Sequence, residues 1–406
     1  MGEFDVGISQ RDLFQGLRSE ALGAAESGIV EVSNYGRGRQ GLIPLWVGEG
    51  DMPTPAFICE AATRSLAAGE TFYTDQRGIP DLRAAIARYM TRWYGGFDGA
   101  PFSHERFFVT VGGMHALQVA VRLVAGAGDE VIVPTPAWPN FAAALSVSGA
   151  ATVEVPMAFE DAGGAPQWRL NIDHIRAAVT PRTRALVVNT PSNPLGIIAS
   201  RAELEALLDL AREKNLWIIA DEIYGRLVFG AERAPSFHDI MRADDKILFI
   251  QTFSKNWAMT GWRIGWLEAP AALGAIIENL IQYSTSGVPV FQQRAAIAAL
   301  ERGEDLLARQ ISRMTESRDI LCDGLARTGR MRFARPEGAF YLFGQIEGVS
   351  DSRALVLRLV DEAGVGLAPG SAFGAAGEGF VRICYARKAA DMAEATRRLV
   401  RWLAQK

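Results

Sequence analysis

Cysteine is scarce. Cys59, Cys322 and Cys384 are the three in 406 residues, and none shares a C-x-x-C spacing with another. That excludes a disulfide framework and a thiolate metal site, and it suits a reducing compartment. Long apolar runs are missing too, since none approaches the roughly 20 residues of a membrane span. The opening M-G-E-F-D-V-G-I-S-Q-R-D has neither the cationic start nor the apolar centre of a leader, so a cytoplasmic protein is expected. Basic runs stop at a pair or two and the formal charge is 42 − 46 = −4, which argues against nucleic acid as a partner. Internal repeats and low-complexity linkers are lacking as well. What remains is an ordinary globular composition, 49% hydrophobic and 22% charged, long enough for about two to three domains.

Apolar positions at helical spacing (Leu13, Leu17, Leu22) predict a first helix over 10–28 that ends near Gly28. The turn-rich Gly48-Glu49-Gly50-Asp51-Met52-Pro53-Thr54-Pro55 follows and marks a first domain boundary. Helices are then expected over 55–68 and 78–94. From Arg106 the pattern alternates strand, glycine turn and helix, the signature of a largely parallel sheet. Strands are read at Phe107–Val111, Val131–Pro134, Ala151–Val155, Ala185–Val188, Leu216–Ala220 and Ile247–Gln251. Helices over 116–124, 139–148, 171–179 and 200–213 lie among them. A long helical stretch over 271–301 and a helix over 303–328 lead into strands near 331–334, 340–345 and 380–384 and helices over 352–363 and 388–404. This last third reads as a second, α+β domain that the N-terminal helix joins, giving a division into 1–50, 51–295 and 296–406.

The chain is organised around Phe249 to Trp266, where an apolar run breaks into T-F-S-K-N-W-A-M-T-G-W-R. Lys255 stands just past a strand's carboxyl edge, the place where open α/β sheets put ligand chemistry. Its amine can form a Schiff base, while Thr252 and Arg263 can hold a phosphate. A solvated loop explains the same residues equally well in isolation. Other strand ends repeat the pattern. Gly112-Gly113-Met114 puts backbone amides at a helix start, able to bind phosphate or merely to make a tight turn. Three prolines hold Trp138, whose indole can cover a flat ring or fill core. Asn193 sits among prolines in N-T-P-S-N-P-L-G. Asp221 ends W-I-I-A-D, where a carboxylate wants a cationic partner or caps a helix, and Tyr224 lies three residues on. Four such ends before a fifth carrying lysine resist a bland account.

Together with Arg382 in F-V-R-I-C-Y, these motifs resemble the class I aminotransferases, fold type I pyridoxal-phosphate enzymes of the aspartate aminotransferase superfamily. The resemblance runs from L-W-V-G-E-G-D-M-P-T-P to F-V-R-I-C-Y-A, and the order and spacing of the motifs agree. It implies a large domain with a mostly parallel seven-stranded sheet between helices and a smaller α+β domain. It implies pyridoxal 5′-phosphate as cofactor, Lys255 as the Schiff-base lysine and α-proton carrier, and Asp221 as partner of the pyridine nitrogen. Tyr224 and Asn193 would bond the cofactor's O3′. Arg263, Thr252 and the amides of Gly113 and Met114 would hold the phosphate, with Ser254 behind them, and Trp138 would stack on the ring. Arg382 would clamp the substrate α-carboxylate beside the Gly48 backbone. Tyr73 would reach the phosphate of a neighbouring subunit, which implies a homodimer with shared active sites.

An aminotransferase moving an amino group from an amino acid to a 2-oxo acid by a ping-pong mechanism is therefore expected. A carbon–sulfur β-lyase on the same fold would share every cofactor residue. A regulator that only senses the cofactor would need a DNA-binding domain, and the roughly 50 residues ahead of the fold carry no basic helix-turn-helix pattern. For the substrate side chain, Met114, His115, Trp262 and the segment 283–289 suggest a roomy pocket for neutral or aromatic groups, unless Arg37 or Arg39 supplies a charge.

Overall fold

The computed structural model describes residues 14–97 and 99–405. Seven strands form the main sheet: β1 (Phe107–Thr110), β2 (Glu130–Thr135), β3 (Ala151–Pro156), β4 (Thr183–Asn189), β5 (Trp217–Asp221), β6 (Ile247–Thr252) and β7 (Gly265–Glu268). Their order is β1-β7-β6-β5-β4-β2-β3. All neighbours pair in parallel except β7, which is antiparallel to both β6 and β1. Six carboxyl ends therefore share one edge. Every residue of β1, β6 and β7 is buried, as expected of strands covered by helices on both faces. Two apolar clusters cover the faces. One includes Phe108, Val131, Ile219 and Leu248, the other Ile132, Leu186, Ile218 and Phe249, so that successive residues of a strand alternate between layers.

The C-terminal body is a four-stranded antiparallel sheet of Met331–Phe333, Tyr341–Ile346, Phe380–Cys384 and Ala368–Pro369, packed with helices Ser352–Arg358 and Ala389–Leu403. N-terminal residues share its core. Val32, Leu45 and Trp46 are buried in the same cluster as Phe343 and Ile383, and Ile43–Pro44 pairs in parallel with Val365–Gly366. The expected boundary at 295/296 falls inside helix Val290–Arg302, which packs on Ala56–Ala67 and Pro80–Tyr94. The next helix, Glu304–Ala326, carries the chain across. Its Leu306 lies in a core with Trp257, its Leu321 with Leu342.

Several elements differ from expectation. Residues 10–13 of the predicted first helix lie outside the described residues, and the rest is not one helix but a turn, Ser19–Leu22, followed by helix Gly28–Gly36. Gly28 starts this helix instead of ending one, because the Ser27 hydroxyl accepts the Val30 N–H and caps it. The stretch 271–301 breaks into a 3₁₀ turn and helices Gly274–Gln282 and Val290–Arg302. Ser286 and Gly287 take left-handed backbone at φ 56° and 101°, and Pro289, which has no N–H to donate, stands just before the second helix. The helix after β1 starts at Gly112, four residues before the predicted 116. Unread in the sequence were β7 and the hairpin Ala158–Ala162 with Ala165–Arg169, whose short, charged strands lack an apolar run.

Candidate active site

The carboxyl edge of the sheet meets the C-terminal body at a cleft of ≈ 340 Å³. It is lined by Gly48, Gly113, Met114, Trp138, Asn193, Asp221, Tyr224, Thr252, Ser254, Lys255, Arg263 and Arg382. Every site residue expected from the sequence is thus brought together except Tyr73. Asp221 is the one carboxylate among the described lining residues, against the cations Lys255, Arg263 and Arg382. Such a surplus of positive charge selects an anionic ligand.

Lys255 follows β6 in a turn and is half-buried. Its Nζ donates to the Gly48 carbonyl at 2.7 Å. Burial pulls its ammonium down to about 8; Cys384 and Glu49 oppose that shift, while Arg382 and Arg263 add to it. An amine in this range has a minor but usable unprotonated fraction near neutral pH, and so can act as a nucleophile.

Asp221, the last residue of β5, is 2% exposed, and its carboxylate takes a single long bond among the described residues, 3.3 Å, from the Ile223 N–H. Burial pushes its carboxyl up to about 7, against that bond and the Lys255 charge. A buried carboxylate without a cation is costly. It fits a ligand that brings a protonated nitrogen.

Gly112 takes a left-handed φ of 73° at the turn from β1, and a Cβ there would lie 2.9 Å from the Arg263 guanidinium. Only glycine lets the arginine approach this helix start. The helix has no side-chain cap, and Gly113 and Met114 at its start line the cleft with Arg263. The Thr252 hydroxyl donates to Ser254 Oγ at 2.9 Å and accepts the Ser254 N–H at 3.2 Å. Arg263 is exposed, and one of its amino groups donates to the Thr260 carbonyl at 2.8 Å. Helix-start amides, hydroxyls and a guanidinium together make a phosphate cradle.

Arg382, in the strand Phe380–Cys384, is 2% exposed and has no carboxylate within ion-pair distance among the described residues. It donates to Asn193 Oδ1 at 2.9 Å and to the Trp46 carbonyl, while its Nε has no partner among the described residues. The rings of Tyr341 and Phe373 lie 4.6 and 4.8 Å from the guanidinium. A buried, unneutralised guanidinium fits a carboxylate. Asn193 therefore spends its carbonyl on Arg382 and its backbone N–H on Asn189 Oδ1, at 2.7 Å, which leaves its amide NH₂ for a ligand.

Sequence reading missed Tyr341 and Asn189. The Tyr341 hydroxyl lies 2.8 Å from that of Tyr224. Its surroundings, A-F-Y-L-F, read as core, and no local signal marks it. Asn189 donates to the Asp221 carbonyl at 3.1 Å and so ties β4 to β5 beneath the cleft. Tyr73 stands apart, 96% exposed beside Phe72 on another face.

Of the residues expected around the substrate side chain, only some line the cleft. Met114 lines the cleft, but His115, Trp262 and 283–289 do not. His115 bonds the Val111 N–H and Ser284, and Trp262 bonds Thr54. Ile29, Val30, Val47 and Ile223 take their place. Arg37 bonds Asn34, and Arg39 pairs with Asp361, both past the far end of the helix whose start lines the cleft.

The sequence matches the family described as aminotransferase class I and II over residues 41–399. It is 36% identical over 360 residues to an arginine–pyruvate transaminase of Pseudomonas aeruginosa, covering 88% of this chain and 89% of that one. It is 33% identical to an aromatic-amino-acid aminotransferase of Thermococcus litoralis, covering 94% and 96%. Among solved structures, the aspartate aminotransferase of Thermus thermophilus with maleate superimposes with a TM-score of 0.86 at 33% identity, covering 95% of this chain and 99% of that one. These likenesses favour amino-group transfer over the lyase alternative. The chain belongs to the class I and II aminotransferases, and it is an enzyme that transfers amino groups between amino acids and 2-oxo acids.

Proposed function

We propose that the cleft binds pyridoxal 5′-phosphate and that the enzyme works by two half-reactions, taking the amino group from a donor amino acid and passing it to a second 2-oxo acid. The observation that carries this reading is Asp221: a buried carboxylate, pushed up to about 7, facing a cleft with no cation bonded to it among the described residues. When bound, the cofactor supplies an electron-poor ring that makes the substrate's α-proton removable. Asp221 holds a proton on the ring nitrogen by supplying the opposite charge. Tyr224 and the Asn193 amide donate to the ring oxygen, and Trp138 covers one face. Arg263, Thr252 and the amides of Gly113 and Met114 hold the phosphate, and Ser254 fixes the Thr252 rotor. Lys255 would anchor the cofactor through its amine and, with that amine free, would carry the α-proton. Arg382 receives the α-carboxylate, with the Gly48 backbone alongside.

On this reading residues 51–295 hold the cofactor, and residues 1–50 and 296–406 supply the carboxylate clamp. The apolar lining of Ile29, Val30, Val47 and Met114 supports a neutral or aromatic substrate side chain. A homodimer is part of the proposal, supported by Tyr73 and Phe72 standing more than four-fifths exposed in a pocket lined also by 285–291. Three free thiols suit the cytoplasm. Borohydride reduction of the yellow holoenzyme followed by peptide mass spectrometry tests the reading. The adduct is expected on Lys255, and an adduct on any other lysine overturns it. Lys255→Ala is expected to lower turnover by at least about 10²–10⁴-fold, the usual worth of a positioned proton carrier.

A further inference from the structure

Tyr341 touches, from one buried position, the groups proposed to hold the two halves of the reacting system. Its hydroxyl lies 2.8 Å from Tyr224 Oη, and its ring lies under the Arg382 guanidinium, 4.6 Å from centroid to Cζ. It is 1% exposed and lines the cleft. The loop at Gly48 closes against it, so near that a Cβ on Gly48 would lie 2.1 Å from the Tyr341 hydroxyl. Gly48 is also where Lys255 Nζ bonds. A position so enclosed, at the centre of the site, is more specified than packing alone requires.

The direction of the tyrosine pair follows from counting. A phenol has one hydrogen to give and can accept as well. Burial holds both phenols well above their ordinary pKa, so both keep that hydrogen through neutral pH. Tyr341 Oη has one acceptor in reach among the described residues, Tyr224 Oη. If Tyr341 gives its hydrogen there, the hydrogen of Tyr224 is free to point into the cleft. Donation into an oxygen makes that group a better donor in turn.

We propose that Tyr341 is a positioning residue: its hydroxyl orients and strengthens Tyr224 as a donor to the ring oxygen of the cofactor, while its ring holds the Arg382 guanidinium flat for the substrate carboxylate. The two functions sit on separate atoms and are separable by substitution. This inference rests on the proposed cofactor, so the experiment begins by showing a visible band in the wild type that borohydride traps on Lys255. Failure of that control would sink the cofactor reading and this inference with it, whereas failure of the variant shifts with the control intact would sink this inference alone.

The test is a pH titration of the visible band of the holoenzyme, with steady-state kinetics beside it. A donor to the ring oxygen favours the deprotonated form of the chromophore, so weakening it raises the titration midpoint. Tyr341→Phe, which keeps the ring, is expected to raise the midpoint by about 0.5 to 1 unit and lower kcat about two- to tenfold, with KM for the amino acid nearly unchanged. Tyr341→Leu, which also removes the ring, is expected to raise KM in addition, by about two- to fivefold. In a Tyr224→Phe background, Tyr341→Phe is expected to leave the midpoint where it is, because the relay is already cut. Cofactor content and melting temperature of each variant are read alongside, and the double-variant comparison holds even if Tyr341→Leu folds poorly. A midpoint in Tyr341→Phe that stays or falls, or an equal shift with and without Tyr224, overturns the proposal.

Discussion

Lys255 and Gly48 are joined across the junction of the two bodies, the lysine ammonium donating to the glycine carbonyl at 2.7 Å. The bond carries its own consequence. It parks the amine at the wall of the cleft that Arg382 also lines, so the groups proposed to make the covalent bond and to hold the carboxylate share one cleft.

Asp221 gives a prediction in which stability and activity move in opposite directions. Its carboxyl is raised from 3.8 to about 7 by burial. A raised acid contributes stability that is fully present below the unfolded pKa and lost as pH rises through the folded one. In protein stripped of cofactor, the loss therefore accumulates between about pH 4 and pH 7 and amounts to about 4 kcal/mol at most. Asp221→Asn, which never ionises, should match the stripped wild type near pH 4 and melt several degrees higher at pH 8. The same variant should lose most activity with cofactor bound. Melting curves at the two pH values check the first outcome, and an Asn variant no more stable at pH 8 would contradict the unpaired-carboxylate account.

Arg382→Met should lower kcat/KM for amino acids by about 10²–10³-fold, the scale on which removing one partner of a buried charge pair acts. The visible band should be retained, because no phosphate or ring contact is proposed for Arg382. Steady-state kinetics over a range of donor concentration, read with the absorption spectrum, separates this from loss of cofactor.

Gly112→Ala should weaken cofactor binding without unfolding the protein. The new methyl would sit 2.9 Å from Arg263 at a φ of 73° that a side chain rarely adopts. Strain of about 1–2 kcal/mol falls on the turn where helix-start amides and arginine meet, so the cofactor dissociation constant should rise about five- to thirtyfold. Equilibrium dialysis or spectral titration of the stripped variant measures it.

A panel of twenty amino acids against three 2-oxo acids should find neutral or aromatic donors ahead of aspartate. Ile29, Val30, Val47 and Met114 line the cleft, and Arg37 and Arg39 are engaged at the far end of their helix. Burying a distal carboxylate there without a partner costs several kcal/mol. A kcat/KM for aspartate tenfold above every neutral donor would reverse this reading.

Much of the large body was legible because most strands are short apolar runs that break off sharply, and five of those ends carry a residue with chemistry. Lys255, Asp221, Asn193, Trp138 and Gly113 could be placed at one sheet edge from that pattern and the resemblance it supports. What was misread has local causes. Gly28 looks like a stop but is a start, since the capping hydroxyl of Ser27 outweighs the glycine. The helical pattern over 271–301 hides a break at Ser286–Pro289, where two left-handed residues and a proline interrupt it. The four residues of β7 are too few for a period to show.

The sequence by itself determined the kind of sheet and which chemistry-bearing residues gather at its carboxyl edge, because these are written in contiguous segments of five to ten residues. Tertiary structure alone decided how those groups pair. Tyr341 meets Tyr224 across 117 positions, and Arg382 meets Asn193 across 189. It also decided that Arg37 and Arg39 face away while Val30 faces the cleft. Such choices depend on how a helix and a second sheet settle against the first, and that is fixed by packing of distant side chains that no local pattern encodes.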